Sequence, residues 1–265
     1  MLRRLLFLAL AAVTLAAPAA RAQMLDDVSQ ALRVELIPGW RQADGTHVAG
    51  LRFDLAPGWK TYWRSAGAAG IAPRMDWRRS RGVASVTPAW PTPRLFRTAG
   101  ALSIGYDSDF VLPLLVVATG AVPTLDGVLD LGVCSDICLP ARVRVTGALS
   151  GGRTPDPLLA AALADRPRRV SADATCRLRP TRDGLALTGE IALPPVGRSE
   201  TVVFEVPDPG VWVTDAQVSR RGGTLVATSE LMVGGGRNVA IDRSRVRITV
   251  IGDRRAVEIE GCRGG

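Results

Sequence analysis

The stretch "GVLDLGVCSDICLPARVRVTGAL", residues 127–149, sets the fold class and the chemistry at once. Its flanks, "VLDLGV" and "LPARVRV", alternate apolar and polar residues as half-buried strands do. Between them stand Cys134 and Cys138, with Ser135, Asp136 and Ile137 in the gap. Residues four apart on a straight strand have Cα atoms ~13 Å apart. A disulfide needs Cα atoms within about 7 Å. The two cysteines can therefore bond only if the chain reverses between them. Ser135 and Asp136 are turn formers, so the stretch predicts a β-hairpin with both sulfurs at its tip. Pro140 donates no ladder hydrogen bond and suits an edge or a bend.

The same period of two runs through the chain. "ALRVELIPG" (31–39), "THVAGLRFDLAPG" (46–58) and "DFVLPLLVVATG" (109–120) read as strands punctuated by Gly, Pro and Asp. After residue 170 come "ATCRLRP", "GLALTGEIALP", "TVVFEVPDPG", "GTLVATSEL", "RVRITVIG" and "RAVEIEGC". "VIGDRRAV" reads as a further hairpin with Gly-Asp at its turn. Many short strands with turn signals at this spacing predict an all-β chain of two β-sandwich domains. Between them, "SGGRTPDPLLAAALADRPRRVSAD" (150–173) opens as a Gly/Pro linker and holds one helix, "DPLLAAALADR", with Asp156 to cap it and Pro157 at its first position. The expected organisation is a first sandwich over 24–150, a linker with a short helix over 151–167 and a second sandwich over 168–265. Each sandwich is long enough to bury a core.

The chain begins "MLRRLLFLALAAVTLAAPAARA". Two arginines, an apolar run and Ala20-Arg21-Ala22 form the pattern of a secretory signal peptide over residues 1–22. Its apolar run is short for a membrane anchor, and the best later segment, "FVLPLLVVATGAV" (110–122), is short and carries Pro113. The mature chain is expected to be exported as a soluble protein to a compartment where cysteines can persist as disulfides. The leader holds three arginines and no acid, so the net charge of +8 falls to +5 on cleavage. The arginines are scattered, with only short clusters such as "RRSR" and "RPRR", which gives no basic stripe for nucleic acid. There is no GxGxxG or P-loop, and no cofactor is expected.

Three roles are open to Cys134 and Cys138: a redox pair, a structural disulfide or a metal site. A loop this small contributes little closure entropy, so a bond across it is a weak staple. Asp136 disfavours thiolate, and the nearest cation in sequence is Arg142. The metal reading would join the two thiolates with a distant histidine around Cu(I), as in Sco-type copper chaperones. The one histidine, His47, lies in an ordinary alternating run, and it is also the only base a hydrolase triad could use. The other two cysteines, Cys176 and Cys262, sit on the first and last strands of the second sandwich. A bond there would close a loop of 86 residues, for which chain entropy gives about 4–5 kcal/mol. That pair is expected to be structural; the rivals are a second redox pair or two free thiols.

The segments "PGWKTYWRSAGAAGIAPRMDW" (57–77), "PAWPTPRLF" (88–96), "IGYDSDFVLPL" (104–114) and "GVCSDICLPA" (132–141) together resemble the N-terminal periplasmic domain of the thiol:disulfide interchange protein DsbD, and more closely its ScsB-like relatives. The resemblance implies an immunoglobulin-like sandwich carrying a redox cysteine pair on a hairpin. It implies that Cys134 and Cys138 exchange disulfides, with Cys138 forming the mixed disulfide. It implies electrons received from a membrane-embedded DsbD/CcdA-like donor and passed to periplasmic thioredoxin-like proteins. The family shields its pair with a cap loop, which places Leu95 or Phe96 over the site; Tyr62, Trp63 and Tyr106 are expected to line it or to be core aromatics. DsbD itself spaces its pair more widely, whereas ScsB-like relatives share C-x-x-x-C. The transmembrane region and the C-x-x-C domain of DsbD have no counterpart in this sequence. Separate proteins would then supply those parts, or the protein would serve as a copper-binding accessory or a non-redox adaptor.

Overall fold

The structure is a computed structural model, and it describes residues 28–98, 100–149, 152–208, 210–234, 239–253 and 255–265. The signal peptide expected over 1–22 lies outside the described residues.

The chain forms two β-sandwiches. The first is built from β1 (Leu32–Arg41), β2 (His47–Leu55), β3 (Lys60–Tyr62), β4 (Arg74–Asp76), β5 (Val83–Pro88), β6 (Arg94–Thr98), β7 (Ala101–Tyr106), β8 (Phe110–Ala118), β9 (Thr124–Cys134) and β10 (Cys138–Ala148). One sheet runs β1-β2-β8-β5; the other runs β10-β9-β3-β7-β6, with β4 also on β9. The period-two pattern is the cause. Leu51, Phe53, Leu112, Leu114 and Val116 from one sheet meet Leu125, Leu129, Leu131 and Val133 from the other in one buried core. Polar residues such as Glu35, Arg52, Asp130 and Arg142 alternate with them and face outward, while Val48 and Gly50 on the outer face of β2 lie under the linker.

The second sandwich adds β11 (Arg168–Arg169), β12 (Asp173–Pro180), β13 (Gly184–Ala192), β14 (Thr201–Glu205), β15 (Val211–Val213), β16 (Gln217–Arg221), β17 (Thr224–Val233), β18 (Arg247–Ile251), β19 (Ala256–Glu260) and β20 (Arg263–Gly264). Its sheets are β11-β19-β18-β14 and β15-β17-β13-β12-β20, with β16 also on β17. The hairpin foreseen in "VIGDRRAV" joins β18 to β19. Strands β12 and β20 are neighbours, and the Cys176–Cys262 disulfide joins their region, with Cα atoms 5.6 Å apart.

Helix α1 (Pro157–Ala164) is more than a tether. Asp156 accepts hydrogen bonds from the Leu158 and Leu159 amides at its start. Leu159 is fully buried with Trp40 and Val48 of the first sandwich. Gly50 leaves room for that contact: a Cβ there would stand 2.1 Å from Leu159 Cδ2, and the leucine would have to shift. The helix is therefore docked on the sheet of β2 and β8.

The two sandwiches also share a core. Trp63, Leu102, Ile104 and Tyr106 of the first pack with Val203, Ile251 and Ala256 of the second. Beside it, the Arg64 guanidinium donates to both Glu205 oxygens at 2.9–3.1 Å. It also donates to Glu258 at 2.6 Å and lies 4.0 Å from the Trp63 ring centroid. All three charged side chains are largely buried. Arg64→Met is expected to cost about 2–3 kcal/mol, below the usual loss for a broken buried pair because Arg247 and Arg169 stay near the carboxylates. Urea unfolding measures this; a loss under about 0.5 kcal/mol would show that the network is not holding the domains. Replacing both Cys176 and Cys262 by Ala is expected to lower stability by about 4–5 kcal/mol in the same experiment.

Candidate functional site

The hairpin of β9 and β10 pairs Cys138 directly with Cys134. Its tip is the three residues Ser135, Asp136 and Ile137, closed by the Ser135 amide on the Ile137 carbonyl at 2.9 Å. The reversal brings the two Cα atoms to 4.1 Å, and the sulfurs are bonded. The environments of the two cysteines differ. Cys134 is 1% exposed, while Cys138 is exposed at the tip with Asp136 and Ile137.

Strand β3 explains the asymmetry. It lies against β9 with Lys60 opposite Cys134 and Thr61 opposite Val133. Thr61 Oγ1 donates to the Gly132 carbonyl at 2.9 Å, which ties the two strands further. Tyr62 then stands on the same face as Cys134, and its hydroxyl donates to Cys134 Sγ at 2.9 Å. The same hydroxyl is 4.0 Å from Cys138 Sγ. Gly132 makes room for this: a Cβ there would meet Ile71 at 2.7 Å and the Tyr62 ring at 3.1 Å. Ala66 completes the apolar packing around Tyr62 and Cys134. Burial pushes the Tyr62 phenol above its usual value, so it remains a donor through neutral and mildly alkaline pH.

The structure separates the aromatic residues that the resemblance grouped around the pair. Alternation along β3, β7 and β6 puts Lys60, Tyr62 and Phe96 on the face that carries the cysteines. Phe96 is half-buried there and lies under the Lys60 ammonium, 5.6 Å from ring centroid to Nζ. Leu95 pairs with Ile104 on the opposite face and packs with the core shared by the two sandwiches. Trp63 and Tyr106 belong to that core as well. The Tyr106 hydroxyl donates to the Pro91 carbonyl at 2.9 Å. These three residues serve the frame, since a side chain on the inner face of the sheet cannot reach the outer one. Asp136 stays at the tip, exposed.

Lys60 is the residue that reading along the chain does not associate with the cysteines. It is 74 positions from Cys134 in sequence, and only the β3–β9 pairing brings the two together. His47 lies on β2, in the other sheet, buried and donating from Nε2 to the Pro38 carbonyl at 2.6 Å. Among the described residues, no group of three His, Cys, Asp or Glu side chains is gathered as a metal site. Also among the described residues, no helix is long and apolar enough to cross a membrane.

Comparison with known proteins agrees with this geometry. No curated protein sequence matches the chain. The solved N-terminal periplasmic domain of ScsB from Proteus mirabilis superposes with a TM-score of 0.66 at 24% identity, over 88% of this chain and 94% of that one. That likeness is one of fold, and it extends over both sandwiches. Residues 22–150 match the family model described as thiol:disulfide interchange protein DsbD, N-terminal. The first sandwich of this chain, with its cysteine hairpin, belongs to the DsbD N-terminal family.

Proposed function

We propose that this is a periplasmic thiol–disulfide exchange protein, which passes electrons from a membrane-embedded reductase partner to periplasmic thioredoxin-like proteins through Cys134 and Cys138. The observation that carries this reading is the unequal burial of the pair: an exposed sulfur bonded to a buried one. A partner thiolate can approach Cys138, and Cys134 is the sulfur set to leave.

The reaction runs in two directions at the same atoms. In reduction, the donor thiolate attacks Cys138 Sγ, the Cys134–Cys138 bond breaks, and its electron pair goes to Cys134. The donor's second thiol then displaces Cys138, leaving the donor oxidised and this protein a dithiol. In the forward transfer, the Cys138 thiolate attacks the acceptor's disulfide, and Cys134 resolves the mixed disulfide. The pair is oxidised again and the acceptor is reduced by two electrons and two protons. No metal or organic cofactor enters either direction. Residues 1–22 supply the export signal, and the second sandwich holds the first through Arg64 and the shared core.

Redox titration of the mature protein against glutathione buffers, with thiols mapped by alkylation and mass spectrometry, tests the reading. Cys134–Cys138 is expected to open reversibly while Cys176–Cys262 stays closed. If both resist until the protein unfolds, the role is structural. The Cys134→Ser variant, which cannot resolve, is expected to trap partners as mixed disulfides on Cys138. In the reduced Cys138→Ser variant, Tyr62→Phe is expected to raise the Cys134 thiol pKa by about 1–2 units, since it removes a hydrogen bond to the charged form. Thiolate absorbance against pH reads this, and an unchanged pKa would mean that the Tyr62 contact is packing alone.

A further inference from the structure

Lys60 is the single lysine of the chain. It faces Cys134 directly in the β3–β9 register. Side chains so placed across an antiparallel pair start from Cβ atoms about 4.5–5.5 Å apart. Its one recorded contact as a cation is the Phe96 ring, and no carboxylate pairs with it among the described residues. An aromatic face holds an ammonium without neutralising it.

Several neighbouring charges are otherwise engaged. Asp130 on β9 pairs with Arg142 on β10 at 3.6 Å. Arg94 on β6 pairs with Asp107 at 3.2 Å. In the loop after β3, Arg64 is turned to Glu205 and Glu258 of the second sandwich. Asp136 is exposed at the tip, where solvent screens it. Lys60 is thus the half-buried cation opposite Cys134 that has no carboxylate partner among the described residues, whereas Arg74, further along the same face opposite Asp130, is exposed to solvent.

We propose that Lys60 is a positioning residue for exchange, whose ammonium stabilises the thiolate left on Cys134 as the disulfide opens. This rests on the reading of Cys134 and Cys138 as the exchange pair. When a partner thiolate bonds to Cys138 Sγ, the Cys134–Cys138 bond breaks and the electron pair becomes a full negative charge on Cys134. That sulfur is buried, so water stabilises the charge poorly. Tyr62 supplies one hydrogen bond to it, and Lys60 supplies the opposite charge from across the strand pair. A leaving thiol of lower pKa departs faster. The disulfide itself is neutral, so Lys60 acts only once the bond opens.

The test uses the full mature protein with Lys60→Met and Lys60→Arg, both checked for native melting. Opening of the oxidised pair by dithiothreitol at fixed pH is expected to slow about three- to tenfold in Lys60→Met. Lys60→Arg should restore the rate. Added salt should slow the wild type toward the Lys60→Met rate and leave Lys60→Met itself little changed. In the reduced Cys138→Ser background, Lys60→Met should raise the Cys134 pKa. If Lys60→Met does not fold, Lys60→Gln takes its place. A wild type that opens reversibly while rate, salt response and pKa are unchanged in Lys60→Met overturns the role of Lys60 and leaves the exchange reading standing. A wild-type pair that stays closed in glutathione buffers overturns both.

Discussion

A bond between cysteines four residues apart demands that the chain turn back on itself between them, and the site follows from that demand. The β9–β10 hairpin meets it with a three-residue tip and with the cysteines as the last paired residues on each side. The tip must project beyond the sheet, so Cys138 meets solvent. Cys134, one strand inward, is covered by β3 and the loop that follows it. Unequal burial of two bonded sulfurs is thus a consequence of hairpin geometry and of which strand lies next to β9.

The strand β3 is only three residues long, yet each of its residues acts on the site or its frame. Lys60 and Tyr62 share the face of Cys134, and Thr61 binds the β9 backbone from the other face. Directly after it, Trp63 and Arg64 turn to the second sandwich. One five-residue run therefore touches the buried sulfur through Tyr62 and the interdomain network through Trp63 and Arg64. The register of β3 is set by its pairing with β9 and β7, and the residues that directly follow it pack on the second sandwich.

The network around Arg64 is also a reason for the two sandwiches to keep one arrangement. Two carboxylates brought into a largely buried interface need a cation there, and the planar guanidinium can serve both at once. Directional, charged contacts of this kind select one docking geometry more sharply than the apolar contacts of Val203, Ile251 and Ala256 do alone. The docked helix and Gly50 fix the connection on the opposite sheet in a similar way, by shape.

Much of this was legible in the residues. Period-two alternation determines strands because successive side chains leave a strand on opposite faces. Cysteine spacing determines that a bonded pair must sit on a reversal of the chain, because bond geometry forbids the extended alternative. The cap at Asp156 and Pro157 determines where the helix starts, through local hydrogen bonding. These are short-range constraints, and a linear reading reaches them. Strand order was not legible, because it depends on which distant edges meet when two cores close. So the pairing of β3 with β9, the placing of Lys60 opposite Cys134, the inward turn of Leu95, Trp63 and Tyr106, and the partners of Arg64 were decided by the tertiary structure. Alternation says that neighbours part to opposite faces, but only the assembled sheets say which face holds the sulfurs.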